Sequence, residues 1–90
     1  MPTDEPTYNK PIVLVVWTDA AGGARTGWRP MDEVVKQGTA TCYSVGFLLR
    51  KSRKDVLICP HVAALDGEHD GDAELCIPKS WVRSITVLQK

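Results

Sequence analysis

The sequence predicts a small, mainly β domain: five short strands rolled into a barrel, with one short helix in the first long loop. Its apolar residues fall in short runs that are β-branched or alternate with period two, which is typical of strands. Glycine, proline and acidic residues separate these runs. At 90 residues the chain suits one domain with a small core. Closing the sheet into a barrel would remove exposed strand edges.

Residues 1–10 hold two prolines and many polar groups, so we expect a flexible N-terminal arm, followed by a single domain over residues 11–90. The continuous apolar run from Ile12 to Trp17 predicts a buried first strand. After a loop of small residues, Pro30, two acids, a late lysine and Gly38 predict about two turns of helix. Three apolar side chains of this helix are expected to lie on the barrel: Met31, Val34 and Val35.

Residues 41–62 form two alternating apolar runs on either side of a basic turn, which is the pattern of a β-hairpin. Gly46, inside the first run, predicts a bend or bulge there. The turn is expected to be centred on Ser52 and Arg53. The cross-strand pairs expected from that turn are Leu49 with Val56, Phe47 with Ile58, and Tyr43 with Val62.

The remaining chain predicts an acidic loop and two more strands. Residues 64–73 are acidic and contain glycine, so they indicate a loop. Residues 74–77 form a short strand that Pro78 ends, because proline lacks a ladder donor. A single 3₁₀ turn fits residues 79–81, and residues 82–88 form the last strand.

This order of elements resembles the SH3-like barrels and the related Sm-like barrels over residues 11–88. A more local similarity rests on the string VVWTDA, Gly27-Trp28, Ser44-Val45-Gly46 and Ile77-Pro78-Lys79. These strings resemble small uncharacterised bacteriophage and prophage proteins. That resemblance implies a phage accessory protein acting in the host cytoplasm, and it brings no reaction, ligand or cofactor with it.

Composition narrows the functional classes. The chain carries eleven Lys and Arg and eleven Asp and Glu, so no strong overall field attracts nucleic acid or membrane. Three cysteines are an odd count, which favours a reducing cytoplasm over a complete disulfide framework. No apolar run precedes Ile12, so we expect no secretory leader. The run from Ile12 to Trp17 is too short to span a bilayer.

The tryptophans outside the first strand suggest a binding surface. Trp28 lies in the first long loop and Trp81 at the 3₁₀ turn, and in SH3-like barrels these two regions adjoin the ligand groove. The alternative is that both rings plug the ends of the barrel, and Trp17 is expected in the core. The predicted partner-binding residues, suited to a peptide or a nucleotide, are Trp28, Trp81, Asp19, Arg25 and Arg29.

Charges are segregated along the sequence. The turn of the 41–62 hairpin is basic, through Arg50, Lys51, Arg53 and Lys54. The following loop is acidic, through Asp66, Glu68, Asp70, Asp72 and Glu74. These regions are expected at opposite ends of one strand, roughly 30 Å apart. They are either solvated loops or the contacts of a head-to-tail homo-oligomer.

Metal and catalytic patterns are weak. The acidic loop has a superficial calcium-loop spacing, but Ile77 stands where the twelfth-position acid is needed. Cys59 and His61 could both reach one zinc ion. Cys42 is expected on the same face of the hairpin but diagonal to these two residues, so it is a poor third ligand. No nucleotide-binding or nucleophile motif is present in the sequence. We therefore expect no cofactor, no metal and no catalytic residues.

The sequence thus favours a non-enzymatic module that binds a host or phage macromolecule, most simply a protein, and antagonism of a host defence is one form of this. One alternative is Sm-like nucleic-acid binding through Arg50, Lys51, Arg53 and Lys54, which salt would weaken steeply. Another is an oligomer that sequesters a small molecule such as a nucleotide.

Overall fold

The computed structural model describes residues 8–20 and 27–90, and 61% of these residues lie in strands, which confirms a mainly β fold. Most of the expected arm, residues 1–7, and most of the first loop, including Arg25, lie outside the described residues. The elements are β1 (Ile12–Asp19), α1 (Met31–Val34), β2 (Ala40–Lys51), β3 (Asp55–Cys59), β4 (His61–Leu65), β5 (Glu68–Asp72), β6 (Leu75–Pro78), a 3₁₀ turn (Lys79–Trp81) and β7 (Val82–Gln89).

The five strands expected from the sequence form one antiparallel sheet in the order β6-β3-β2-β1-β7. Two further strands, β4 and β5, form a separate two-stranded sheet. β6 and β7 are the end strands of the main sheet, and no ladder joins them within the described parts of the chain. The main sheet is therefore open, where the sequence predicted a closed five-stranded barrel. Closure would require the four-residue β6, which ends in Pro78, to pair with the eight-residue β7.

β2 is long enough to pair with a different strand along each half. Its residues 40–47 pair with β1, and Phe47–Lys51 pair with β3. Phe47 lies at the change of partner, opposite Ile12 on one side and Cys59 on the other. This change of partner divides the sheet into two parts, called here wings, with β1 and β7 in one and β3 and β6 in the other.

A close approach of the β2 and β3 backbones requires glycine at position 46. A Cβ placed on Gly46 would lie 3.0 Å from the carbonyl carbon of Cys59 and 3.1 Å from its oxygen. The sequence predicted a bend or bulge at Gly46, and the irregularity in the β2–β3 ladder lies at Leu49 instead, where the ladder passes from Leu48 opposite Ile58 to Arg50 opposite Leu57.

The predicted register of the β2–β3 hairpin is therefore wrong by one to two residues. Phe47 pairs with Cys59, and Lys51 pairs with Val56. The physical reason is the extra residue at Leu49 together with a tight turn closed by the Ser52 amide, which donates to the Asp55 carbonyl (2.9 Å). Tyr43 pairs with Val16 of β1 rather than with Val62, because β3 ends at Cys59, before Pro60.

The core lies where the two wings meet. β1 contributes Val13 and Val15, β3 contributes Val56 and Ile58, and β6 contributes Ile77, all with at most 1% of their surface exposed. Each such side chain contributes roughly 1.5–3 kcal/mol by leaving water. Partly buried residues that surround this core are Trp17, Leu48, Leu75, Val82 and Ile85.

The predicted acidic loop is instead the β4–β5 hairpin. Its strands pair from His61 opposite Asp72 to Leu65 opposite Glu68. Asp66 and Gly67, at the tip, have positive φ angles of 52° and 81°, as a two-residue hairpin turn requires. The thiol of Cys59 anchors the base of the hairpin by donating to the His61 carbonyl (3.1 Å) and lying 3.4 Å from the Asp72 carbonyl.

Candidate functional site

The residues from Gly27 to Val35, called here the Trp28 segment, lie between β1 and β2 in the chain and are exposed except for the half-buried Arg29. Asp19, the last residue of β1, pairs with Ala40, the first residue of β2. Both ends of the stretch 20–39 therefore start from the same end of the β1–β2 pair. Within the described part of that stretch, only Arg29 is partly buried.

The Trp28 segment presents apolar side chains to solvent. Trp28 is fully exposed, Met31 and Val35 are 71% and 73% exposed, and Val34 is 41% exposed. The prediction that the helix would lay Met31, Val34 and Val35 on the barrel is wrong. The helix is only four residues long, and no residue in it is buried. A single turn held by Pro30, whose carbonyl accepts from the Glu33 and Val34 amides, cannot lay a full face on a sheet.

Trp81 is held by a second tryptophan. Its ring stacks on Trp17, with centroids 6.3 Å apart and planes 11° apart, and it remains 37% exposed. The Trp17 indole N–H donates to the Ser44 hydroxyl (3.0 Å), and Trp17 packs against the core. Because Trp28 is fully exposed, it does not stack on Trp81, so the structure does not bring the two predicted contact aromatics together.

The structure describes two of the three charged residues predicted beside the tryptophans. Asp19 is half-buried at the end of β1, and Arg29 is half-buried directly after Trp28. Arg25 lies outside the described residues. Arg83 of β7 reaches towards the same end of β1, with its Nη1 3.5 Å from the Thr18 hydroxyl.

Arg50 in the basic turn is paired with a carboxylate. Its Nε and Nη2 donate to the two oxygens of Asp55 at 2.9 Å and 3.1 Å. This hydrogen bond lowers the pKa of Asp55 and raises the pKa of Arg50, and a further hydrogen bond from Ser52 also lowers the pKa of Asp55. Arg50 is therefore partly neutralised, whereas the other three predicted cations, Lys51, Arg53 and Lys54, are exposed.

The β4–β5 hairpin carries an acidic side. Glu68, Asp70 and Asp72 alternate along β5 and so project to one side. A depression of ≈ 360 Å³ at the base of the hairpin is lined in part by His61, Asp70 and Asp72, with Phe47 and Pro60. The hairpin leaves β3 at the end opposite the basic turn, as the sequence predicted for the two charged regions.

The cysteines and histidines are dispersed. Cys59 is buried, Cys42 is half-buried opposite Trp17, and Cys76 is exposed, and all three are free thiols. The Cys59 sulfur is committed to the His61 and Asp72 carbonyls. Among the described residues, no group of three or more histidine, cysteine, aspartate or glutamate side chains is arranged to hold a metal ion.

A second apolar surface was not anticipated from the sequence. Alternate residues of β1, β2 and β7 project to the side of the sheet opposite Val13 and Val15, and this surface is called here the outer face. It comprises Ile12, Leu14, Val16, Thr18, Thr41, Tyr43, Val45, Phe47, Ser84 and Thr86. The available signal was the Ile12–Trp17 run, because a strand that is apolar at every position offers apolar side chains to both faces of its sheet.

Comparison of the chain with protein-family models, with curated proteins and with solved structures finds no match. Among the residues that the structure describes, no helix is long and apolar enough to cross a membrane. The assignment of function therefore depends on the surfaces described above.

Proposed function

We propose that the protein is a non-enzymatic binding module that engages a protein partner through the Trp28 segment. The observation that supports this most strongly is the full exposure of Trp28 beside exposed Met31, Val34 and Val35. Tryptophan is among the residues most enriched at the energetic centres of interfaces. Keeping four large apolar side chains in water has no benefit for folding, so the segment is better explained by a partner that covers it.

A short helical turn with apolar residues at positions 31, 34 and 35 suits insertion into a hydrophobic groove on the partner. The acids Asp32 and Glu33 and the cation Arg29 flank these residues and would set orientation. The other predicted contact residues, Trp81, Asp19 and Arg25, belong to the proposal as flanking contacts. The indole of Trp28 alone would bury about 150–250 Å², a gross gain of roughly 4–6 kcal/mol.

The fold proposed for this module is an SH3-like arrangement of the five strands predicted from the sequence, with the sheet left open between β6 and β7. Its support is that all five expected strands share one antiparallel sheet, and that the 3₁₀ turn runs directly between the two end strands. The biological setting proposed is that of the phage-like resemblance: an accessory protein in an infected bacterium, with a host-defence protein as the partner.

Capture from a bacterial lysate, quantified by mass spectrometry, tests this proposal. Wild type should enrich a specific protein, and Trp28→Ala should lose most of that enrichment. Trp28 is fully exposed, so the free energy of unfolding of this variant should stay within about 0.5 kcal/mol of wild type. Tyr43→Ala is the matched control, because Tyr43 is an exposed aromatic on the outer face, and it should retain the partner. Equal recovery by wild type and Trp28→Ala, or no recovery by wild type, would reject the proposal.

The nucleic-acid alternative keeps three exposed cations at the turn after the pairing of Arg50 with Asp55. It requires oligonucleotide binding that falls steeply with salt and is lost when Lys51, Arg53 and Lys54 are replaced by alanine. The alternative of nucleotide sequestration has less support, because the depression of ≈ 360 Å³ is lined by Asp70 and Asp72, which would repel phosphate.

A further inference from the structure

The outer face is apolar at its centre, and Arg83 of β7 brings a positive charge to its edge at Thr18. Its ten residues include no Asp, Glu, Lys, Arg or His, although 24% of the chain is charged. Tyr43 is 70% exposed and Val45 is 50% exposed, while Leu14 and Val16 beside them are half-buried. An antiparallel sheet face that meets water normally carries polar side chains. Depletion of charge with enrichment of aromatic residues instead characterises the centre of a protein interface.

The same face carries a projection and a groove, and the Phe47 side of that groove is already in edge-to-face contact with Tyr8, with ring centroids 5.1 Å apart. Tyr43 projects from β2, and a groove of ≈ 270 Å³ lies further along the same strand. The groove is lined by Ile12, Val45, Gly46, Phe47 and Pro60. Its volume falls below the range of about 300–1,000 Å³ that is usual for small-molecule sites, but it is large enough to accept one aromatic ring.

We propose that the outer face is the interface of a two-fold symmetric homodimer, in which Tyr43 of each copy enters the groove beside Val45 and Phe47 of the other. The two-fold axis would lie between the two facing sheets and pass over β2 near Ser44. Rotation about this axis brings Tyr43 of each copy over the groove of the other. Such an interface is self-complementary, since residue i meets j and j meets i. Because the chain has zero net charge, no overall electrostatic repulsion opposes the approach of a second copy.

The size of the face sets the expected affinity. The outer face is about seven residues long, at about 3.3 Å per residue, and three strands wide, at about 4.8 Å per strand. One face therefore measures roughly 23 by 14 Å. Two such faces together project about 640 Å², which falls below the roughly 1,200 Å² at which stable specific interfaces begin and in the range of weak, transient contacts. The dimer should therefore be weak, with a dissociation constant in the micromolar range and rapid dissociation on dilution.

Sedimentation velocity of the full chain from about 1 μM to about 1 mM, a range that brackets weak interfaces, tests this inference. Wild type should pass from monomer to dimer. Val45→Lys should raise the dissociation constant at least tenfold, because it places two like charges near the symmetry axis. Val35→Lys is the matched control: it makes the same change at an exposed valine of the Trp28 segment, and it should leave the dimer unchanged.

Tyr43→Ala is a second variant, which removes the projection without adding charge, and it should also weaken the dimer. Circular dichroism and Tm would establish that each variant folds. A wild-type monomer at the highest concentration would overturn the inference, and so would a dimer that Val45→Lys and Tyr43→Ala leave intact. A dimer disrupted equally by Val35→Lys would assign the contact to the Trp28 segment and would also overturn it. The outer face and the Trp28 segment are distinct surfaces, so failure of this inference leaves the proposed partner-binding function in place.

Discussion

Replacing Gly46 with alanine tests the packing of β2 against β3 directly. The new methyl carbon would lie 3.0, 3.1 and 3.2 Å from the carbonyl carbon, oxygen and nitrogen of Cys59. All three are backbone atoms of β3, so no side chain can turn aside and the two strands must separate. Overpacking of this kind costs about 1–3 kcal/mol, of which the lower chain entropy of alanine recovers about 0.5–1 kcal/mol.

The net loss of up to about 2.5 kcal/mol should lower Tm by as much as about 20 °C for a domain of this size. Thermal unfolding followed by circular dichroism measures this change. Gly38→Ala is the matched control, because a Cβ there would meet no atom within 4 Å, and its Tm should be unchanged or slightly higher. Equal Tm values for Gly46→Ala and wild type would refute the close approach of Gly46 to Cys59.

Two further predictions concern the charged pair and the hairpin. Asp55→Asn should lower Tm at neutral pH. Since the folded-state pKa of Asp55 is lowered, the ionised carboxylate stabilises the fold at pH values above the unfolded pKa of 3.8, and this stabilisation is lost as pH falls through the folded-state pKa. The Tm difference between Asp55→Asn and wild type should therefore vanish in stronger acid, and Arg50→Gln should show the same pH dependence. A Tm difference that does not change with pH would contradict the pairing. Gly67→Ala should accelerate amide exchange across residues 61–72, because alanine at the positive φ of Gly67 costs about 1–2 kcal/mol. Ala73→Gly should slow that exchange or leave it unchanged, because Ala73 already has a φ of 62°, and the opposite order would contradict the turn geometry.

The strands of the main sheet could be predicted from the sequence because their signals are local. The β-branched run at Ile12–Trp17, the alternation in residues 41–49 and the stop at Pro78 each correspond to an observed strand or strand end. The β4–β5 hairpin was also encoded locally, in the Asp66-Gly67 pair between two short stretches. It was missed because the acidic composition of residues 66–74 outweighed that turn signal.

Register and exposure could not be predicted in this way, because they depend on contacts between distant residues. The bulge at Leu49 and the change of partner at Phe47 follow from the close approach of Gly46 to Cys59. No local sequence pattern predicts that approach. Helical spacing of Met31, Val34 and Val35 correctly indicated a helix. It could not indicate that one turn would be too short to reach the sheet, and so the exposed Trp28 segment was not foreseen.

The central claim is that the Trp28 segment is uncovered in the free protein and covered in the complex. Attenuation of the three indole N–H signals by a soluble paramagnetic agent, measured by NMR, tests this directly. In the free protein the attenuation should be greatest for Trp28, smaller for Trp81 and smallest for Trp17, whose N–H is bonded to Ser44. Addition of the captured partner should protect Trp28. A Trp28 signal already protected in the free protein, or equally attenuated with and without the partner, would contradict the account.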